Sequence, residues 1–150
     1  MNPILVLILQ AFQTLLSITT SLGIATVKIN PFQPSDVDSV EFPFVGIFYT
    51  PQSWENYGRT EKNTGTITIE SYFKWDTSKE DQYLYLVQKE AEIHQAIFAS
   101  CKQGILKPYL QGIEKNNPEY LLIDDNILSI VQEYKITFLH TFGNPFSITY

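Results

Sequence analysis

At 150 residues the chain offers material for one domain and no room for a second enzyme-sized unit. Apolar residues make up 44% and charged residues 17%, which supplies a core and excludes wholesale disorder. Sixteen acids against ten bases, with Arg59 the only arginine, exclude a dedicated nucleic-acid binder, because neutralising phosphates takes clustered Lys and Arg.

The first 27 residues carry no charged side chain and no histidine. A secretory signal wants a basic start and a small-x-small cleavage site, and neither is clear here. The unbroken apolar run, Ile4 to Leu9, is far shorter than the roughly 20 residues of a bilayer span. Gln10, Gln13, Thr14, Ser17, Thr20 and Ser21 recur at helical spacing and define one wet stripe. Ile4, Ile8, Leu15 and Leu22, with Leu5, Leu9, Phe12 and Leu16, cover the rest. Asn2 is placed to cap, Pro3 to start and Gly23 to close the helix. The pattern favours an intracellular core-packing helix over a weak signal or a membrane-surface helix, which would want a basic face.

Ile24 to Ile29 reads as a short strand, and Asn30 to Pro43, with three prolines and three acids, as a loop. Phe44 to Thr50 is a second strand, and Thr64 to Trp75 its partner. There Ile67, Ile69, Phe73 and Trp75 share one face, while Thr66, Thr68, Glu70, Tyr72 and Lys74 share the other. Between them, Pro51 to Asn63 reads as a thirteen-residue loop where a hairpin needs two to five. A long helix follows, opened by Thr77 and Glu80 at capping-box spacing. Its expected apolar stripe is Leu84, Val87, Ala91, His94, Phe98 and Cys101, broadened by Tyr83, Leu86, Ile93 and Ile97; Gly104 and Pro108 end it. Leu106 to Asn117 looks irregular, Tyr120 to Ile123 is a short strand, Asp124 to Asn126 a turn, and Ile127 to Phe142 the longest strand. Ile130, Tyr134, Ile136, Phe138 and Phe142 take one of its faces. The sum is a single α+β domain over residues 1–150, in the order α-β-β-β-α-β-β, with a mainly antiparallel sheet and two helices on one face.

No local motif names a chemistry, and the chain is read as a non-enzyme with no catalytic residue and no cofactor. His94 and His140 lie in apolar stripes without carboxylates at ligand spacing, so they read as core histidines rather than a metal site. Cys101, the single cysteine, sits near a helix C-terminus, away from the dipole end that lowers a thiol pKa, and reads as an inert thiol. Asp124 and Asp125 supply too few oxygens for a calcium loop. Glu90 and Glu92 read as exposed helix face. The long loop is different. It gathers Trp54, Tyr57, Arg59, Glu61 and Lys62, and Trp, Tyr and Arg are the residue types that anchor interfaces. Either Trp54 plugs the loop against its own sheet, or these five residues meet another subunit or partner.

The order of elements resembles the tail terminator proteins of long-tailed bacteriophages. The stretches PFVGIFYTPQSWENYGRTEKNTGTITIESYFKW, TSKEDQYLYLVQKEAEIHQAIFAS and QEYKITFLHTFGNPF are the most similar parts. The resemblance is one of pattern and length over nearly the whole chain, in a family without an invariant catalytic or ligand motif. It implies a virion structural protein, made in the host cytoplasm, that forms a ring, commonly six-fold, on the head-proximal end of the tail tube. Such a ring stops tube polymerisation and meets the neck and stopper proteins of the head, while genomic DNA passes through without specific binding and no membrane is involved. An acidic lumen would suit that passage by repelling phosphate. Other readings are a head-completion or neck protein, a cap protein of a phage-like contractile injection system, and a small ligand-binding module with an aromatic-lined pocket.

Overall fold

The N-terminal helix does not begin on a side-chain cap: its first free amide, that of Ile4, donates to the carbonyl of Pro145 at 2.8 Å. The computed structural model describes residues 3–29, 42–74, 82–124 and 127–146. Asn2, Trp75, Thr77, Glu80, Asp125, Asn126 and most of the Pro-rich loop fall outside them. Helix α1 spans Ile4–Ile18 and buries Ile4, Ile8, Ala11, Phe12, Leu15 and Leu16, the face expected from the polar stripe. Pro3 is its N-cap rather than its first helical residue. The helix stops earlier than Gly23 because Thr19 turns back on Leu15, its hydroxyl donating to that carbonyl at 2.7 Å. A 3-10 turn, Thr20–Leu22, then leads to Gly23, whose φ of +64° is the left-handed conformation glycine adopts at no steric cost.

Strand β1 (Thr26–Lys28) lies parallel to β2 (Phe44–Tyr57). Strand β2 pairs antiparallel with β3 (Thr60–Lys74), and β3 with β6 (Ile127–Thr141). Two short strands, β4 (Gly112–Lys115) and β5 (Glu119–Asp124), lie end to end along the outer edge of β6. The sheet therefore runs β1-β2-β3-β6-β4, with β5 also on β6. It is the expected α+β sheet, with β4 added inside the segment that reads as irregular. GIEK is too short and mixed to show a period; the free edge of β6 makes it a strand.

The period of two in β3 and β6 does what it implies. Val45, Ile47, Ile67, Ile69, Tyr134, Ile136 and Phe138 form one core with α1 and with Ile93 and Ile97 of helix α2 (Gln82–Gln103). Both helices cover this face. On the opposite face Phe44, Tyr72 and Ile127 make a small cluster. Helix α2 exists as expected, but its stripe is rotated. Leu86, Glu90, Ile93, Ile97 and Ser100 are buried, whereas Leu84, Val87 and Ala91 are exposed. The reason is Glu90, a buried acidic residue, which pairs with Lys115 of β4. Gln132 of β6 also donates to the Glu90 carbonyl at 3.2 Å. A paired charge at a buried position is invisible to an apolar pattern.

Candidate interaction site: a three-stranded arm

Pro51 to Asn63 is not a loop. Strand β2 continues to Tyr57, and a two-residue turn, Gly58-Arg59, returns the chain directly into β3. Gly58 has φ +67° at the first turn position, where type II′ hairpin turns take glycine. The far ends of β2, β3 and β6 thus form a three-stranded arm, with Glu55, Lys62 and Leu139 at one level and Asn56, Glu61 and His140 at the next.

The arm begins at a β-bulge. Register is continuous from Phe44 to Pro51 and resumes at Ser53, so Gln52 is an extra residue; its amide donates to the Thr66 hydroxyl at 2.9 Å. One inserted residue reverses the alternation of every side chain beyond it. Before the bulge, Val45, Ile47 and Tyr49 face the helices; after it, Trp54 and Asn56 do. Trp54 therefore stands beside Asn63 and Phe138, on the face where Glu61 lies 3.7 Å from His140. Tyr57 and Lys62 stand on the opposite face with Glu55, and Arg59 is at the tip. The five candidate residues are brought to one arm but divided between its two faces.

Exposure rules out the plug reading of Trp54. Trp54 is 62% exposed and Tyr57 59%, so neither is packed against the sheet. Phe142, whose amide donates to the Arg59 carbonyl, adds a third exposed ring next to the tip. Tyr57 donates its phenolic hydrogen to the Glu55 carboxylate, and that bond, reinforced by the carboxylate's charge, raises the phenol above its usual pKa. On β6 the arm is covered: Phe138 and His140 are buried, and the Nδ1 of His140 lies 3.0 Å from the Thr141 carbonyl.

The other candidates lie in the body. His94 packs its ring against Phe98 at 4.5 Å and sits 3.5 Å from the Tyr134 hydroxyl. Burial lowers its pKa, and the nearby Lys115 charge lowers it further, against a smaller opposing effect of Glu90. Cys101 is half-buried, and burial pushes its thiol up to about 11, the direction that suppresses thiolate chemistry. Glu90 is buried rather than on an exposed face, and Tyr134, deprived of solvent and near that carboxylate, is held well above the usual phenol range. Among the described residues no group of three His, Cys, Asp or Glu could hold a metal ion. A shallow groove of about 390 Å³ between α1 and the α2–β4 connection is lined by neutral side chains, including Leu7, Ala11, Pro108 and Tyr109. It offers no charged anchor and is built from elements outside the arm. Among the described residues no helix is long and apolar enough to cross a membrane.

Sequence reasoning missed the buried network that joins Glu90 and Lys115 to Gln132, Tyr134 and His94. Its one sequence signal is the polar Gln132 inside the alternating apolar face of β6, between Ile130 and Tyr134. No protein-family model matches the sequence, and no curated protein matches it.

Proposed function

We propose that this chain is a structural subunit that assembles with copies of itself into a ring, as a phage tail terminator does, through its three-stranded arm. The observation that carries this reading is an arm that exposes Trp54 and Tyr57 on opposite faces of paired strands. Large aromatics held on a rigid sheet lose little freedom on binding and are the side chains that dominate interface energies. Presenting one on each face suits a heterologous contact, in which each copy uses two different surfaces and the assembly closes when the rotation allows. In the virion such a ring, of six copies by family resemblance, would cap the tail tube, stop its growth and meet the neck proteins. The net charge of −6 suits passage of DNA without specific binding.

Two single variants test this. If Trp54 is an anchor, Trp54→Ala costs about 2 kcal/mol per contact, roughly thirtyfold in affinity. A ring repeats that loss at every interface. Closed rings counted in electron micrographs should fall sharply for Trp54→Ala and for Tyr57→Ala, and assembled particles should carry overlong tails. Unchanged rings and tails in both variants would refute the reading.

A further inference from the structure

The β2 side of the arm is an open strand edge. Strand β1 covers β2 only from Phe44 to Gly46, and every residue from Pro51 to Arg59 is exposed. The β6 side is closed. There β4 and Gln111 hold the strand up to Thr137, and Asn144 bridges Thr141, its amide donating to the Thr141 carbonyl at 2.8 Å. The ladder fixes which groups of β2 are left over. Glu133 turns outward, its carbonyl accepting from Asn116, whereas the amide of Phe142 turns inward to Arg59. Antiparallel pairing alternates these two senses along each strand. By that alternation Thr60 and Lys62 of β3 bond to Tyr57 and Glu55. Trp54 and Asn56 therefore turn their amides and carbonyls outward, where no described residue meets them.

Glu55 sits between those two residues. Its carboxylate accepts the Tyr57 hydroxyl but makes no ion pair with any described cation, not even its cross-strand neighbour Lys62. We propose that this edge takes up an extended segment of another protein as an added antiparallel strand, with a Lys or Arg of that segment opposite Glu55. Strand addition draws affinity from main-chain bonds and specificity from alternate side chains. The residues on either side of the base exchange both main-chain bonds with Trp54 and Asn56. Glu55 and the base then form a non-hydrogen-bonded pair, the kind whose side chains stand closest, so opposite charge there is favourable. On the other face Trp54 favours a β-branched or aromatic side chain across from it. The net charge of −6 draws a basic segment in.

A second copy of this chain is the wrong occupant. Its β6 edge in the arm is closed. Two β2 edges joined about a two-fold axis bond Trp54 to Asn56 in both directions only when Glu55 lies directly opposite Glu55. Like charges so placed destabilise a sheet. From Gln52 to Tyr57 there is no other charged residue and no proline, so Glu55 is the one guard along this stretch. It turns away its own kind and admits a base.

This inference goes beyond the ring reading and does not depend on it, since the ring is built on the faces of the arm and strand addition on its edge. The probe is the peptide acetyl-Val-Thr-Lys-Val-Thr-amide, with the same peptide carrying Glu in place of Lys as its counterpart. Titrated into the full chain, the Lys peptide should shift the backbone amide resonances of Trp54 and Asn56 and bind at least tenfold more tightly than the Glu peptide. In Glu55→Lys that order should reverse. Because the Asn56 amide faces away from β3, Asn56→Pro removes an edge donor and leaves the hairpin's own bonds in place; it should bind neither peptide, with unchanged circular dichroism. Asn56→Ala keeps the amide and should bind like the parent. No shift at Trp54 and Asn56 with either peptide would overturn the edge site. Equal binding of the two peptides, or an order unchanged in Glu55→Lys, would overturn the stated chemistry of its partner. Neither result alters the ring counts that test the ring reading, and a loss of rings leaves these titrations as they stand.

Discussion

The same three strands live under two regimes. The first half of β2 and the second half of β3 lie beneath two helices, and apolar side chains on alternate positions fix which face turns inward. Over the second half, from Ser53 to Tyr57, β2 is exposed on both faces and its side chains alternate without an apolar period. There the strand exists because β3 pairs with it residue by residue and β3 is in turn held by β6. Burial specifies the body. Pairing, a two-residue turn and a bulge specify the arm.

The sharpest test of that difference is a pair of truncations measured by urea denaturation. Ile69 is fully buried between α1, α2 and the sheet, and Ile69→Ala should cost about 2–5 kcal/mol. Trp54→Ala should change the stability of the isolated subunit by no more than about 0.5 kcal/mol. A comparable loss at both sites would show that the arm is part of the core and break the comparison.

The boundary between the regimes is open to a smaller probe. Gly65 lies where the arm begins, and a Cβ built there would come within 2.3 Å of the Tyr49 ring. That ring spans the junction and meets Phe138 edge-on at 6.2 Å. Gly65→Ala should therefore destabilise by about 1–3 kcal/mol, as overpacking does. Adding Tyr49→Ala should cost less than the sum of the two single effects, because the clash is then gone. Strict additivity would place the strain elsewhere.

The smallest effect separates the body from the arm by pH. The pKa of His94 is lowered from 6.5 in the folded chain, so the unfolded chain takes up the proton first as pH falls. Above pH 6.5 both states are neutral and nothing is lost. Below it, stability declines until the folded-state pKa is reached. Denaturation midpoints compared between about pH 7.5 and 5.5 should fall for the parent and fall less for His94→Gln. Equal slopes would show that His94 titrates alike in both states.

What was legible in the sequence follows the same division. The alternation of Ile67 and Ile69, and of Ile130, Tyr134, Ile136 and Phe138, gave the core face of the sheet because burial wrote it. The polar stripe of α1 did the same. Helix α2 was legible as a helix, yet its orientation was not, because Glu90 occupies a buried position by pairing with Lys115. The arm left little trace. Pro51, Gln52 and Gly58 punctuate a polar stretch that resembles a loop, and a strand exposed on both faces has no hydrophobic period to read. Its one local signal was a glycine-led two-residue turn, followed by a partner strand of matching length. Trp54, Tyr57 and Arg59 stood out by residue type alone, whereas their division between two faces depends on a single inserted residue, Gln52.

The length of the shared strands has a mechanical consequence. β3 and β6 each run 15 residues without interruption from the body into the arm, a span of about 50 Å. The chain leaving β6 returns at once to the first turn of α1 through the Pro145 carbonyl. A pull applied along the arm is therefore carried as shear between neighbouring strands, across many backbone bonds at the same time, and reaches the helix-covered half without crossing a hinge. The arm and the body bear load as one beam.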